Sequence, residues 1–209
     1  MVGKPNKSVV IIVAHPDDEI LWVGGTILNN PQWNYFVISL CRKNDEDRSF
    51  KFKKVLKSLN IQGTMGNLDD GPEQEPLDSF EVEQHILDLV PQKHFDLIIT
   101  HSPKGEYTKH IRHEEVSNAV IKLWNEGKIT AKELWTFAYE DGNKKYLPRA
   151  IEKASHFEKL KKDIWIKKYR IITETYGFDK NSWEAKTTPK TEAFWIFNNP
   201  NDALQFLKK

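Results

Sequence analysis

The sequence predicts an α/β fold: a mostly parallel sheet covered by helices on both faces. Three observations predict it. Residues 9–14 (VVIIVA) form an unbroken apolar, β-branched run, the pattern of a strand buried on both sides, and residues 35–40 and 95–100 read the same way. Segments with helical spacing alternate with these runs, and that alternation is the mark of a parallel sheet in three layers. The chain has 209 residues, of which 39% are hydrophobic and 11% aromatic, so one domain over residues 1–209 has enough apolar material for a core of its own.

The elements follow in order. After the strands at 9–14 and 35–40, Phe52, Val55, Leu56 and Leu59 fall at helical spacing, with Lys51, Lys53, Lys54 and Lys57 around the other side. Asp78 followed by Glu81 gives a capping-box start to a helix carrying Val82, Ile86 and Leu89. The strand at 95–100 precedes a helical stripe of Val116, Ala119, Val120 and Leu123. A weaker strand covers 134–139. Ser155 and Glu158 cap a last long helix holding Phe157, Leu160 and Ile164, and a strand at 193–197 closes the chain. Lys159, Lys161, Lys162, Lys167 and Lys168 read as the solvated face of that last helix. Residues 171–192 carry no clear pattern.

Composition excludes several classes of function. Thirty-one Lys and Arg against 30 Asp and Glu leave a net charge of +1, so no general field draws nucleic acid. The single Cys41, at the end of a strand, excludes a disulfide framework and a cysteine-rich zinc finger and reads as a packed thiol. The apolar run at 9–14 falls short of the ~20 residues of a membrane span and of the ~7–15 of a signal-peptide core, so a cytoplasmic protein without a membrane span is expected. No GxGxxG follows the first strand, so the dinucleotide fingerprint is missing; Gly24 and Gly25 are expected to permit close helix–sheet approach instead.

Two clusters carry chemistry. His15-Pro16-Asp17-Asp18-Glu19 follows the first strand, and His101-Ser102-Pro103-Lys104-Gly105-Glu106-Tyr107 with His110 and His113 follows the strand at 95–100. In a parallel sheet both loops emerge at one edge, where ligands bind. Two neutral imidazoles and a carboxylate suit a catalytic zinc ion, and also ferrous iron. Adjacent Asp17 and Asp18 could divide metal binding from proton transfer. Each cluster has an ordinary reading when taken alone, the first as an acidic helix start; it is their meeting at one sheet edge that favours a metal site.

These residues resemble a known family. Residues 14–19 (AHPDDE) followed by Gly24-Gly25-Thr26, and the segment from His101 to His113, resemble the LmbE-like/PIG-L family of N-acetylglucosaminyl deacetylases. The resemblance implies a Rossmann-like three-layer sandwich holding one zinc ion and hydrolysing the N-acetyl group of an N-acetylglucosamine-type sugar or glycoconjugate. It makes His15, Asp18 and His113 the metal ligands and Asp17 the general base for a metal-activated water. His110 would stabilise the oxyanion or protonate the leaving amine, with Tyr107 assisting. Arg48 and Asp70 sit where the family places substrate-binding residues, although a solvated charge run and an Asp-Gly turn explain the same letters. Trp22 is expected to border the site.

Two departures stand out. Arg112 replaces the family's aspartate between the histidines, where a cation would discourage the imidazolium form of His110. There is also one extra residue between Tyr107 and His110, through Thr108-Lys109. They motivate an alternative: a non-catalytic metal- or carbohydrate-binding module on the same scaffold. The expected partner is a small amino-sugar or glycoconjugate substrate, and the oligomeric state is left open.

Overall fold

The computed structural model of the chain describes residues 6–108 and 110–208. Strand β1 (Ser8–Val13) lies at the centre of the sheet and is buried along nearly its whole length. It is followed by two short helices, α1 (Asp18–Leu21) and α2 (Gly24–Asn29). Next come β2 (Asn34–Cys41), α3 (Glu46–Leu59) and β3 (Gln62–Leu68). The chain then crosses back through α4 (Ser79–Leu89) to β4 (His94–Thr100), α5 (Ile111–Asn125) and β5 (Thr130–Phe137). A small ladder of β6 (Tyr139–Glu140) and β7 (Arg149–Ala150) leads to β8 (His156–Lys159) and α6 (Lys162–Arg170). A π-helical turn (Ile171–Thr175), α7 (Trp183–Thr187), β9 (Thr191–Phe197) and α8 (Pro200–Leu207) complete it.

The seven-stranded sheet has the order β3-β2-β1-β4-β5-β9-β8. The strands from β3 to β5 run parallel, whereas β9 pairs antiparallel with both β5 and β8. This is the mostly parallel, Rossmann-like three-layer architecture the sequence predicts. Alternate residues of β1 serve different layers. Val9, Ile11 and Val13 pack with Ile27, Phe52 and Val55, while Val10, Ile12 and Ala14 pack with Val82, Ile86, Val116 and Val120. Winding proceeds from β1 outward to β3 on one side and from β4 outward on the other. The crevice at the carboxyl ends of β1 and β4 is therefore the point where the winding reverses, the place such sheets keep for ligands.

Three expectations need correction. Residues 156–159 are not the start of a long helix: they pair with β9 as an edge strand, and the helix begins only at Lys162. Lys168 is not on a solvated face; it is fully buried against Glu192. The strand at 134–139 begins earlier, at Thr130, and ends at Phe137. β3 was not foreseen, because its sequence, QGTMGNL, has no continuous apolar run. Gly25 does permit a close approach, since a Cβ there would stand 2.5 Å from a methyl of Leu160.

Candidate metal centre

The first cluster occupies a tight turn after β1. Asp17 takes φ +124°, a region that residues with a side chain rarely adopt, and the turn is held by its own carboxylates. The backbone N–H of His15 donates to Asp18 Oδ2 at 2.9 Å, and that of Asp17 donates to Glu19 Oε2 at 3.0 Å. The other Glu19 oxygen accepts from the Tyr176 hydroxyl at 2.5 Å. Burial raises the Glu19 pKa to about 7. Asp18 Oδ1 accepts from the indole N–H of Trp22 at 2.9 Å. Trp22 is completely buried and thus sits beneath the site as a brace for Asp18, instead of bordering it.

The second cluster is organised around Glu106. Glu106 Oε2 lies 3.0 Å from His101 Nδ1 and 2.6 Å from His113 Nδ1, and Oε1 accepts from the Ser102 backbone N–H at 2.7 Å. Burial alone would raise the Glu106 pKa, but His101 and His113 outweigh it and hold it at about 2. His113 stands in the first turn of α5, so a donor bond to Glu106 leaves its Nε2 lone pair facing the first cluster. His101 is a strut: its Nε2 accepts from the Ala14 backbone N–H at 2.9 Å, linking the two strand ends.

Three acceptor atoms from these clusters converge. His15 Nδ1 lies 3.3 Å from His113 Nε2 and 3.3 Å from Asp18 Oδ2, and His113 Nε2 lies 3.4 Å from Asp18 Oδ2. A tetrahedral ion with bonds of about 2.0–2.1 Å to nitrogen and oxygen needs donors about 3.3–3.4 Å apart, so the set fits zinc in both spacing and chemistry. The other nitrogen of each ring faces a carboxylate: Glu106 for His113, and Asp70, 3.3 Å from Nε2, for His15. That is the usual support of metal-binding imidazoles. Burial lowers the His15 pKa, but Asp18 and Asp70 outweigh it and the net shift is upward. Two other triples also lie within 4.8 Å, His15–His110–His113 and Asp18–His101–His113. His101 is the poorer donor, because its Nε2 already accepts from Ala14.

A cavity of about 270 Å³ opens over this centre. Asp17, Arg48, Asp70, Tyr107 and His110 all line it, as do His15 and Asp18. Burial, followed by the neighbouring Asp18, raises the Asp17 pKa well above the carboxylate range, and Arg48 Nη1 stands 3.7 Å from Asp17 Oδ2. His110 precedes α5, stacks on His113 at 4.1 Å, and has a buried Nδ1 without a hydrogen-bond partner among the described residues. Burial and the adjacent His113 and His15 lower the His110 pKa to about 3, which keeps the ring neutral. Asp70 is on the wall, but both its oxygens are engaged: Oδ1 by His15 and Gln74, Oδ2 by Arg42.

Arg112 does not act on His110 as the sequence suggested. Its guanidinium binds Asp69, Glu75 and Glu115, and it does not line the cavity. Of the extra segment before His110, Lys109 lies outside the described residues. Thr108 is tied to Asp141, its backbone N–H donating to Oδ2 at 2.7 Å.

Sequence reasoning missed three groups. Glu106 stood inside a quoted motif with no role assigned. Trp183 and Glu184 lie in the unpatterned stretch 171–192, which folds over the site: both line the cavity, and the Trp183 ring lies 4.7 Å from that of Tyr107. No spacing signal announces them.

The family model for GlcNAc-PI de-N-acetylase (PIG-L) matches residues 10–124, more than half of the chain. The chain belongs to the PIG-L family. The matched segment of this PIG-L chain contains every residue of the converging set, together with Asp17 and His110. An uncharacterized protein of Acanthamoeba polyphaga mimivirus is 23% identical over 177 residues, 78% of this chain and 76% of that protein. Among solved structures, a deacetylase of the teicoplanin biosynthesis pathway is similar with a TM-score of 0.63 and 15% identity, over 92% of this chain and 98% of the other. The 4-carboxy-2-hydroxymuconate hydratase GalB of Pseudomonas putida is similar with a TM-score of 0.61 and 16% identity, over 91% and 95%. A deacetylase and a hydratase thus share this fold, so the fold leaves the reaction to be argued from the site. Among the described residues, no helix is long and apolar enough to cross a membrane.

Proposed function

We propose that this PIG-L chain is a zinc-dependent hydrolase that removes the N-acetyl group from an N-acetylglucosamine-type sugar or glycoconjugate. The observation that carries the reading is the convergence of His15, Asp18 and His113 lone pairs, with His15, Asp18 and Asp17 all lining one cavity. The ion, when bound, supplies Lewis acidity to the amide carbonyl and to a water; ferrous iron suits the same donors.

The chain's own residues do the rest. Asp17 is not among the three converging donors; in its ionised form, which Arg48 and a bound cation would favour, its carboxylate takes the proton of the attacking water, and the upward push of burial makes it the stronger base. As the water oxygen joins the acyl carbon, negative charge grows on the carbonyl oxygen. Neutral His110 holds an N–H for that charge, with the Tyr107 hydroxyl beside it. The C–N bond then breaks, the proton held by Asp17 passes to the leaving nitrogen while neutral His110 keeps its N–H on the oxygen, and acetate and a free amine result. Arg48 offers guanidinium donors to sugar hydroxyls at the mouth, and the Trp183 ring offers a face for the sugar. Asp70 forms part of the wall. The non-catalytic alternative drew on Arg112 and on the extra residue before His110; with the Arg112 side chain bound elsewhere, Thr108 tied to Asp141, and Asp17 and His110 both lining the cavity, hydrolysis is the better reading.

The test is elemental analysis of chain purified without chelator or histidine tag, alongside amine release from a panel of N-acetylated sugars. One equivalent of metal, turnover lost to chelator and regained with zinc, and a fall of roughly 10²–10⁴-fold in Asp17→Asn with metal retained are expected. Unchanged turnover in Asp17→Asn would sink the assigned mechanism, and a chain that takes up no metal would sink the reading itself.

A further inference from the structure

The departure at position 112 has a structural counterpart. Arg112 is fully buried, and every contact it makes leads to one loop. Its Nε donates to the Asp69 carbonyl at 2.6 Å and Nη2 to the Glu75 carbonyl at 2.8 Å. Nη1 donates to Glu115 Oε2 at 2.6 Å, and Glu115 Oε1 in turn accepts from the Leu77 backbone N–H at 2.7 Å. Two side chains one helical turn apart on α5 thus grip residues 69–77 at three points. Asp70, inside the gripped segment, lies with Oδ1 3.3 Å from His15 Nε2. An aspartate at position 112 has no donor for two carbonyls; the forked guanidinium has enough for both and for Glu115 as well.

We infer that Arg112 is a positioning residue: from the first turn of α5 it clamps the loop over residues 69–77 so that Asp70 stands against His15 and fixes that ring for the metal. The inference rests on the metal reading above. It gives the two histidine ligands matched supports, Glu106 for His113 from within its own loop, and Asp70 for His15 from a loop held by the helix that carries His113. Carboxylates in this position set ring orientation and tautomer, and with them the affinity for the ion.

The test is a zinc titration of the metal-free full-length chain against a chromophoric chelator, with folding followed by circular dichroism. Arg112→Lys keeps the charge and loses the fork, and Asp70→Asn keeps the shape and loses the carboxylate. Each should weaken zinc binding roughly 10–100-fold. The double variant should be no weaker than the poorer single one, since both act through the same contact. A role of Arg112 in general stability alone predicts independent effects that multiply. Wild-type affinity in either single variant, or multiplying losses in the double, overturns the inference while leaving the metal reading intact. A wild type that binds no zinc removes both. Should Arg112→Lys fail to fold, Glu115→Gln weakens the same clamp from its other side and takes its place in the cycle, with unchanged affinity again the overturning result.

Discussion

Two buried charged clusters flank the short helices that follow β1, and they differ in one respect. In the first, Glu192 Oε1 accepts from the Gly25 backbone N–H and from Lys168, both at 2.7 Å, while Oε2 accepts from the backbone N–H and the hydroxyl of Thr26. Every lone pair of the Glu192 carboxylate has a donor, and opposite charges meet. In the second, His15, Asp18 and His113 turn acceptors toward one another across 3.3–3.4 Å. Both are buried, the second a little less completely where His15 and Asp18 reach the cavity. Burial of charge therefore does not distinguish a structural cluster from a functional one; what distinguishes them is whether donors and acceptors already match.

The contrast can be broken most forcefully at Lys168. Replacing it with Met leaves Glu192 buried without its cation, which should cost about 3–5 kcal/mol. In a chain of this size that is a fall in Tm of roughly 6–20 °C. Zinc should raise the Tm of this variant by as much as that of the wild type, because the proposed metal ligands are untouched. A loss of the zinc response in thermal melts of Lys168→Met would mean that the clusters are not independent.

A smaller effect is expected at the mouth of the cavity. Trp183→Ala removes a ring face without touching the converging donors, so KM should rise roughly 3–10-fold with kcat close to the wild-type value. Steady-state kinetics on the best substrate of the panel check this, and a fall in kcat alone would move Trp183 from recognition to chemistry.

The smallest effect belongs to Asp96, a matched but partly exposed cluster that serves as a baseline. Lys132 and the backbone N–H of Ser8 hold its pKa at about 2, below the usual 3.8. A depressed carboxylate contributes stability above its unfolded pKa and loses it as pH falls toward the folded one. Asp96→Asn should thus be less stable by about a few tenths of a kcal/mol near neutrality, given solvent screening. Urea denaturation at a series of pH values should show that gap narrowing from about pH 4 toward pH 2.

The legible parts of the fold are those where a local pattern and the final environment agree. β1, β2 and β4 are buried over most of their length, and their mainly apolar runs, unbroken in β1, say so. β3 lies at the sheet edge, where Gly63 is needed because a Cβ would run into the Val37 carbonyl, and that demand erases the strand pattern. Ser155 and Glu158 have the letters of a helix cap, yet residues 156–159 find hydrogen bonds on β9, which no local rule foresees. Lys168 shows the same limit. Nothing near it in sequence reveals Glu192, and a lysine among lysines reads as surface.

The centre divides in the same way. That the His15-to-Glu19 cluster meets the histidines after β4 follows from the rule that parallel strands end together, whereas the choice of His15, Asp18 and His113 among them came from the family resemblance. Glu106, Trp22 and the Arg112 clamp were hidden, because what they do depends on which atom of a neighbour they face. Trp22 was placed at the rim on proximity in sequence, whereas four residues along a helical turn put its indole under Asp18.

The aromatic wall also lies far along the chain from the chemistry. The converging donors, Asp17 and His110 all fall within residues 10–124, whereas Trp183 and Glu184 arrive from a return excursion well beyond them. On the function proposed above, reaction and selection would thus be written in separate stretches of one polypeptide. Drift in the later stretch can re-tailor what enters the cavity without disturbing the atoms that cut. For protein engineering, residues 176–190 are the natural place to seek altered substrate preference with the hydrolytic apparatus left intact.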